Sequence, residues 1–354
     1  MHLSADNITL AHLACPVCKQ TDQSQPLIHK ENNSLTCLHC GTSFPINKGV
    51  PNLLVDTTLE SMLEKNPAAD IHHLKDGAIE NTYAEWSALL SEFNSSNGVY
   101  LEIGAGNGRL SHGIIQHSHF SDISITDLSE VFIQNIIERS QANRDHLHFY
   151  ICDANHLPFQ YNTFDVVVGR SILHHILHYE KTLTEIFNVL KPHGKAFFLE
   201  PILQGKLLVA FFLKLIIQTN EKLQAGIFTP EQIKKINLLI RHLTKAHRTG
   251  NDLEALRQME DKYIFDILAI KQLSSQIGFK QFYYRNNCPG GVDLGNEYPL
   301  WGYGNHVFNH IKKFGVTREQ LANFDYLFNS FGETFSDHIN HQLYTPMGYF
   351  IFEK

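Results

Sequence analysis

The chain has 354 residues and a formal net charge of −7 when its 22 histidines are counted as neutral. This length allows one large or two ordinary domains with a substantial core, and 43% hydrophobic with 18% charged residues is typical of a globular protein. The acidic balance argues against unaided binding to nucleic acid, although a local basic patch could still provide it.

No targeting segment or membrane span is expected. Residues 1–10 lack the basic stretch and the apolar core of a secretory signal. The most apolar run, from Leu207 to Ile217, is interrupted by Lys214 and falls short of the ~20 residues that a membrane span requires. We therefore predict a cytoplasmic protein.

Four of the six cysteines form two C-x-x-C motifs: Cys15, Cys18, Cys37 and Cys40. The interval between the motifs, residues 19–36, is typical of two-knuckle zinc sites. Four thiolates suit a closed tetrahedral Zn²⁺ site, which is structural rather than catalytic. Disulfides are disfavoured because no secretory signal is expected. The remaining cysteines, Cys152 and Cys288, are predicted to be small buried residues.

Residues 1–56 are predicted to form a zinc ribbon, stabilised largely by the metal because few apolar residues are available. After the second motif, Phe44-Pro45-Ile46 and residues 49–54 predict two extended pieces around a turn. This segment resembles the small zinc-ribbon proteins that accompany methyltransferases or are fused to them. The resemblance implies a ribbon used for packing and partner contact rather than for chemistry.

Residues 57–97 are predicted to be a linker with N-terminal helices, because apolar and aromatic residues have helical spacing in the segment 78–93. The apolar run Val99–Ile103 then predicts a buried strand. Alternate glycines follow it before the next helix, and an acidic residue, Asp127, ends the second predicted strand. In dinucleotide-binding sheets a carboxylate at that point binds the ribose hydroxyls. Arg109 occupies the last glycine position of the G-x-G-x-x-G fingerprint, which disfavours NAD.

Strands and helices alternate over the rest of the chain. Further strands are predicted at residues 123–127, 147–152, 164–169, 195–200, 279–284 and 349–352. This alternation predicts a doubly wound parallel α/β sheet that is covered on both faces. The alternation is interrupted by two insertions, at residues 201–262 and 287–346.

Five sequence blocks occur in a fixed order: L-E-I-G-A-G-N-G, T-D-L-S, C-D-A-N-H-L-P-F, F-D-V-V-V-G-R-S-I-L-H-H and L-K-P-H-G-K. In order and spacing they resemble the class I S-adenosylmethionine-dependent methyltransferases. The resemblance implies an α/β fold with a doubly wound, seven-stranded, Rossmann-like methyltransferase sheet whose last strand is antiparallel. It also implies an enzyme that binds S-adenosylmethionine, with residues 98–354 forming the methyltransferase domain.

The resemblance further implies which residues contact the cofactor. The methionine portion would be held by Glu102, Gly104, Ala105, Gly106 and Gly108. The ribose hydroxyls would bind Asp127, next to Leu128, and the adenine would meet Asp153 and Ala154. The sulfonium side would be lined by Gly169 and Arg170. All these positions follow predicted strands, and open α/β sheets bind ligands at the carboxyl ends of their strands.

Histidines after the fourth predicted strand are candidates for chemistry. His174 or His175 could act as a catalytic base, which is needed only if the acceptor must lose a proton. His174 and His178 also have the i, i+4 spacing of a helical metal pair. We disfavour a metal here, because the chain has 22 histidines and L-H-H is common in the family without a metal role.

The two insertions are predicted to form a helical and aromatic lid over the cofactor and the acceptor. In the first, a helix at 231–248 carries several basic residues: Lys234, Lys235, Arg241, Lys245 and Arg248. They indicate either a solvated face or an acidic or lipid-like acceptor, or contact with a membrane surface. The second insertion places aromatics among glycines, which favours a pocket wall or an aromatic mini-core. These aromatics are Tyr298, Trp301, Tyr303 and Phe308.

We therefore predict methyl transfer from S-adenosylmethionine to a small or medium-sized organic acceptor; the acceptor atom and the oligomeric state stay open. A first alternative is a ribosomal RNA base methyltransferase that uses the ribbon to recognise RNA. Residues 1–60 hold more acidic than basic side chains, which disfavours RNA contact. A second alternative is a non-catalytic protein whose ribbon docks onto a partner, and the intact cofactor positions argue against it.

Overall fold

A computed structural model of the chain describes residues 10–21, 25–30, 33–56, 78–140, 146–245, 253–287, 302–336 and 345–354. The predictions made for Cys288, Tyr298 and Trp301 lie outside these residues, as does the predicted linker at 57–77.

The N-terminal part forms a small antiparallel sheet beside the four cysteines. Helix α1 (Pro16–Lys19) is followed by the strands β1 (Leu27–Lys30), β2 (Ser34–Cys37), β3 (Ser43–Asn47) and β4 (Val50–Pro51). In β3 the side chains of Phe44 and Ile46 are buried, and those of Ser43 and Pro45 are exposed. This alternation is that of a strand with one face on a core.

The central sheet has seven strands in the order β10-β11-β9-β8-β5-β6-β7. They are β5 (Val99–Ile103), β6 (Asp122–Asp127), β7 (Leu147–Ile151), β8 (Phe164–Arg170), β9 (Leu190–Pro201), β10 (Gln281–Asn286) and β11 (Met347–Glu353). Strand β11 is antiparallel to both of its neighbours, and the pairs among β5 to β9 are parallel. The predicted fold class, a seven-stranded Rossmann-like sheet with an antiparallel last strand, is confirmed.

Helices cover both faces of this sheet. Counting those of the two insertions, the described helices after the ribbon are α2 (Ala78–Glu92), α3 (Ser111–His117), α4 (Glu130–Ser140), α5 (Tyr179–Val189), α6 (Leu203–Lys222), α7 (Pro230–Lys245), α8 (Leu253–Arg257), α9 (Ile267–Ile277), α10 (Gly302–Ile311), α11 (Arg318–Ala322) and α12 (Asp325–Ser336). Trp86, Ile114 and Ile133 join α2, α3 and α4 to one sheet core. Leu183 and Ile270 join α5 and α9 to the other. None of the described helices is long and apolar enough to cross a membrane.

Strand β9 is longer than the predicted 195–200 because it takes in Pro192-His193-Gly194. Its pairing with β8 shifts between Phe164–Leu190 and Val166–Lys195, so the extra residues form a bulge. The chain end holds this bulge in the sheet. The amide of His193 donates to the carbonyl of Lys354 at 3.0 Å, and the amide of Lys354 donates to the carbonyl of Gly194 at 3.1 Å.

The insertions build a further helical layer, here called the lid: α6, α7, α10, α11 and α12. These helices share a core that includes Phe212, Phe228, Phe324 and Phe328. Helix α7 begins with a capping box, in which Thr229 and Gln232 bond each other's backbone amides. The lid starts at Leu203, directly after the carboxyl end of β9. It therefore rises from the edge of the sheet at which α/β folds bind ligands.

The ribbon packs against the edge strand β7 of the central sheet. The amide of Leu53 donates to the carbonyl of Ile151 at 2.8 Å, and Asn52 forms a parallel bridge with the same residue. Leu13 bridges Phe159, and the ammonium of Lys19 donates to the carbonyl of Leu157 at 2.7 Å and to Glu185 at 3.0 Å. Backbone pairing and apolar packing thus cover an edge that would otherwise expose unpaired backbone groups.

Replacing the phenylalanine at the centre of this contact should destabilise the whole chain. Phe159 is fully buried, and its ring meets Tyr150 and Phe164 edge-on at centroid distances of 5.5 and 5.0 Å. We expect Phe159→Ala to lower the free energy of unfolding by about 3–5 kcal/mol in denaturant titrations. Phe211→Ala, at a ring that is 53% exposed, should cost about 1 kcal/mol or less. Equal losses in the free energy of unfolding for the two variants would show that Phe159 is not part of a hydrophobic core between the ribbon and the sheet.

Candidate active site

The glycine turn after β5 is tied to the acidic end of β6. The amide of Gly106 donates to Asp127 Oδ2 at 2.7 Å, and the amide of Ser129 donates to Oδ1 at 2.8 Å. Gly106 has a φ of 54°, and a Cβ there would meet no heavy atom within 4 Å. The backbone at Gly106 therefore borders open space, with the buried carboxylate of Asp127 fixed beside it.

Glu102 lies within β5 and is buried, with 1% of its surface exposed. Among the described residues its Oε2 has no hydrogen-bond partner. Burial raises the pKa of Glu102 to about 8 and the charge of Asp127 adds to this effect, whereas Ser111 and Arg170 oppose it. A buried carboxyl of this kind is favoured in its ionised form at neutral pH only when a cationic group binds beside it.

Asp153 follows β7 and caps a short 3-10 turn, Ala154–His156. Its Oδ1 accepts from the amide of Asn155 at 2.9 Å, and its Oδ2 lies 3.0 Å from Nδ1 of His156. Burial opposes ionisation, but these two bonds outweigh it and lower the pKa of Asp153. Leu128 and Ala154 are half-buried at the same edge of the sheet.

The carboxyl end of β8 carries Gly169 and Arg170. The guanidinium of Arg170 interacts electrostatically with Arg109, Glu85 and Tyr349. Burial, together with the charge of Arg109, lowers the pKa of Arg170. The hydroxyl of Tyr349 donates to the carboxylate of Glu85, and Nε of Arg109 donates to the hydroxyl of Thr82 at 2.8 Å. Helix α2 thus contributes polar groups to the site's edge.

His174 is held between two carboxylates rather than facing open space. Its Nδ1 lies 2.6 Å from Glu200, and its Nε2 lies 3.5 Å from Asp261. Burial would lower the pKa of His174, but the bonds to Asp261 and Glu200 outweigh it and raise the pKa to about 9. The ring is therefore a cation at neutral pH. Its geometry is that of a structural ion pair more than of a base.

His175 differs from its neighbour in exposure. Its side chain is 38% exposed, and its Nδ1 lies 3.0 Å from the carbonyl oxygen of Glu260. A bond to a carbonyl requires a proton on Nδ1, so in the neutral form of the ring Nε2 is the acceptor. Donor atoms of His174, His175 and Asp261 also lie within 4.8 Å of one another. Nδ1 of His174 is already bonded to Glu200 and Nδ1 of His175 to the carbonyl of Glu260, which argues against a metal bound through these two nitrogens.

Sequence reasoning missed the carboxylates that organise this edge of the sheet. Glu200 ends a predicted strand as Asp127 does, so the same signal, an acid at a strand end, could have found it. Glu85 lies one turn from Thr82 within an otherwise apolar helical pattern, which is a weaker signal. Asp261 lies in an aperiodic segment, and nothing in its neighbourhood singles it out.

Stability should depend on pH through His174. A histidine with a raised pKa stabilises the fold fully below its unfolded value of 6.5, and this contribution is lost as the pH rises through about 9. His174→Leu should abolish this loss and cost about 3 kcal/mol near neutral pH, because Glu200 then lacks its cation. His178→Leu, at an exposed histidine of the same loop, should change neither quantity. Thermal unfolding over this pH range measures both, and an unchanged pH profile in His174→Leu would contradict the assignment.

The four cysteines of the two motifs converge as a cluster of free thiols. Sγ of Cys15 lies 3.6 Å from that of Cys40, and Sγ of Cys18 lies 3.7 Å from that of Cys37. A tetrahedral zinc site with Zn–S bonds of ~2.3 Å spaces its sulfurs about 3.8 Å apart. The donor set and its spacing therefore fit structural Zn²⁺. Cys152 is buried, as predicted, and is not one of the four clustered thiols.

Metal analysis of the purified chain should find about one zinc per chain, as a closed four-thiolate site holds. Cys37→Ser should release the metal and lower the melting temperature, because the ribbon core is continuous with the sheet core. Cys152→Ser should retain the zinc. Full zinc occupancy in Cys37→Ser would rule out this ligand set.

Comparison with known proteins agrees with this geometry. Residues 101–198 match the family described as methyltransferase domain, and residues 6–49 match the family described as Trm112p-like protein. A hybrid PKS-NRPS synthetase of Penicillium oxalicum is 35% identical over 107 residues, which are 28% of this chain and 3% of that protein. The mitochondrial 2-methoxy-6-polyprenyl-1,4-benzoquinol methylase of Caenorhabditis elegans is 27% identical over 108 residues, 29% of this chain and 38% of that protein.

A solved Haloferax volcanii complex between the Trm112 methyltransferase activator and a methyltransferase has a chain that is 14% identical, with a TM-score of 0.41. That match covers 78% of this chain and 94% of the other. The chain spans well under half the length of the curated relatives described above. Within one polypeptide it joins a Trm112-like zinc ribbon to a methyltransferase domain with the Rossmann-like fold of the S-adenosylmethionine-dependent methyltransferases.

Proposed function

We propose that the chain transfers a methyl group from S-adenosylmethionine to a small organic acceptor held under the lid. The strongest support is Glu102, a buried carboxylate with an unpaired oxygen, two residues before a glycine turn that borders open space at Gly106. An amino-acid end of a cofactor offers an ammonium group for such a carboxylate. The match of residues 101–198 to the methyltransferase domain family supports the same cofactor.

In this proposal each strand end has its own role. Glu102 holds the ammonium group, and the turn Gly104, Ala105, Gly106 and Gly108 lies along the methionine portion. Asp127, with Leu128, takes the ribose hydroxyls, and Asp153 with Ala154 meets the adenine. Gly169 and Arg170 border the methionine portion. Because Arg170 is a cation, we propose that it faces the carboxylate of that portion rather than the sulfonium.

S-adenosylmethionine supplies a methyl group that is already activated on a sulfonium. The chain itself must bind and orient the acceptor at a reacting distance of about 3–3.5 Å and exclude water. We propose His174 as a positioning residue, because it is an imidazolium between Glu200 and Asp261. His175, with Nε2 as an acceptor, is the proposed base where an acceptor must lose a proton.

We also propose a division of labour along the chain. Residues 1–56 are a zinc ribbon that stabilises its own methyltransferase domain, and residues 57–97 connect the two. Residues 98–354 form the catalytic unit, with the insertions 201–262 and 287–346 as the substrate lid. Packing of the ribbon onto β7 and α5 supports an internal role for it.

Binding of S-adenosylhomocysteine, measured by isothermal titration, tests the assignment of Glu102. Its carboxyl must ionise to hold an ammonium group, so affinity should rise from about pH 6 to about pH 7.5, below the pKa of about 8 in the free protein. Glu102→Gln should bind about tenfold or more weakly and lose this pH dependence, since a charge-assisted hydrogen bond is lost.

Glu138→Gln, at an exposed residue of α4, is the matched control and should bind as the unmodified chain does. Asp127→Ala should also weaken binding by about tenfold or more, because the ribose contact and the anchor of the glycine turn are both removed. No measurable binding by the unmodified chain, or unchanged binding by both site variants, would refute the proposed cofactor site.

A further inference from the structure

One lysine of the lid lies on the buried side of its helix. Lys206 is in helical register with Ala210, Leu213 and Ile217, which are all buried. The exposed side of α6 carries other residues, among them Phe211 and Lys214. A lysine in a core register is uncommon, because burying an ammonium costs free energy unless it has a partner.

Among the described residues, the hydrogen-bond partner of the Lys206 ammonium is a neutral histidine ring. Its Nζ lies 3.5 Å from Nε2 of His310, whose Nδ1 bonds to the carbonyl of His306 at 2.8 Å. Burial, followed by the charge of Lys206, lowers the pKa of His310 to about 4, so the ring has no charge at neutral pH. Among the described residues no carboxylate oxygen lies within 4.0 Å of the Lys206 ammonium.

Longer-range charges leave this point of the lid positive. Asp261 acts on Lys206 from a distance, while it bonds to His174, and Lys313 adds a second cation. His306 is neutral, since burial lowers its pKa to about 4. Among the described residues, this half-buried cation has a second cation and two neutral rings near it, and the anion that acts on it, Asp261, is already paired with His174.

The same lysine lies close to the carboxyl edge of the sheet. The amide of Lys206 donates to the carbonyl of Ile202, directly after β9. At Gly205 a Cβ would come 2.0 Å from the carbonyl oxygen of Thr345, so glycine lets the start of α6 approach the segment that leads into β11. Lys206 is thereby fixed within one helical turn of the edge at which the cofactor residues lie.

We propose that Lys206 binds the anionic group of the methyl acceptor, a carboxylate or a phosphate, carried on an apolar body. This inference rests on the proposed function and specifies its substrate class. The ammonium supplies the charge, and Nε2 of His310 orients it by accepting a hydrogen bond from it. Val307, next to His306 along α10, and Ala210, one helical turn after Lys206, are buried apolar residues, and we expect the part of the acceptor next to its anion to meet apolar side chains of these helices. The exposed lysines of α7, Lys234 and Lys235, are not needed for this recognition.

Titration calorimetry on the zinc-loaded chain, saturated with S-adenosylhomocysteine, tests the proposal with four probes: octanoate, octyl phosphate, octanol and octylammonium. We expect one or both anions to bind about tenfold or more tightly than octanol and octylammonium. The ratio of the affinities for octanoate and octyl phosphate distinguishes a carboxylate site from a phosphate site. Lys206→Met should lose this preference, whereas Lys206→Arg should keep most of it. Lys214→Met, on the exposed side of the same helix, should bind all probes unchanged.

Octanol binding as tightly as both anions, or an anion preference that survives in Lys206→Met, would overturn the proposal. The probe comparison on the unmodified chain is decisive even if Lys206→Met does not fold. Affinity for S-adenosylhomocysteine is measured on each variant and should stay unchanged, since Lys206 is not a cofactor residue. Loss of cofactor binding by the unmodified chain would refute the proposed function, whereas absence of anion preference with cofactor bound would refute only this inference.

Discussion

The buried carboxylate of Glu200 fixes the loop on which the candidate site depends. It accepts hydrogen bonds from the amides of Ile172, Leu173 and His174 at 2.8–3.3 Å and pairs with the ring of His174. This loop directly follows Gly169 and Arg170 at the end of β8. Glu200, at the end of β9, therefore also fixes the position of the end of β8. The carbonyl of His174 in turn accepts from the amides of Lys262 and Tyr263. One carboxylate thus links two strands, the histidine loop and the segment that returns from the lid.

Much of the fold could be predicted because its signals are local. The run Val99–Ile103, the glycine turn and Asp127 at the end of β6 follow from apolar periodicity and from where acids fall after strands. The cysteine motifs predict their cluster for the same reason, since metal-ligand spacing is short in sequence. The predicted strand at 195–200 is shorter than β9 because Pro192-His193-Gly194 usually ends regular structure, whereas here pairing with β8 and backbone bonds to Lys354 hold these residues in the sheet.

The contacts that could not be predicted join residues distant in sequence. Tyr349 meets Glu85 across most of the chain, and Asp261 meets His174 from a segment without periodicity. From the sequence alone, Lys206 cannot be distinguished from the other basic residues of the first insertion. It stands out only when the burial of the residues in register with it on α6 is known. Propensity and spacing predict which elements form, whereas burial and charge pairing between elements depend on how these elements pack.

The docking of the ribbon also has a consequence for synthesis. Lys19 contacts the carbonyl of a residue 138 positions later in the chain, and the apolar seat of the ribbon includes Phe159. A nascent chain therefore carries its ribbon for a long interval before the surface that covers it has been made. Closing so long a loop costs little more free energy than closing a shorter one, but it slows folding. Early metal capture would keep the ribbon ordered during this wait.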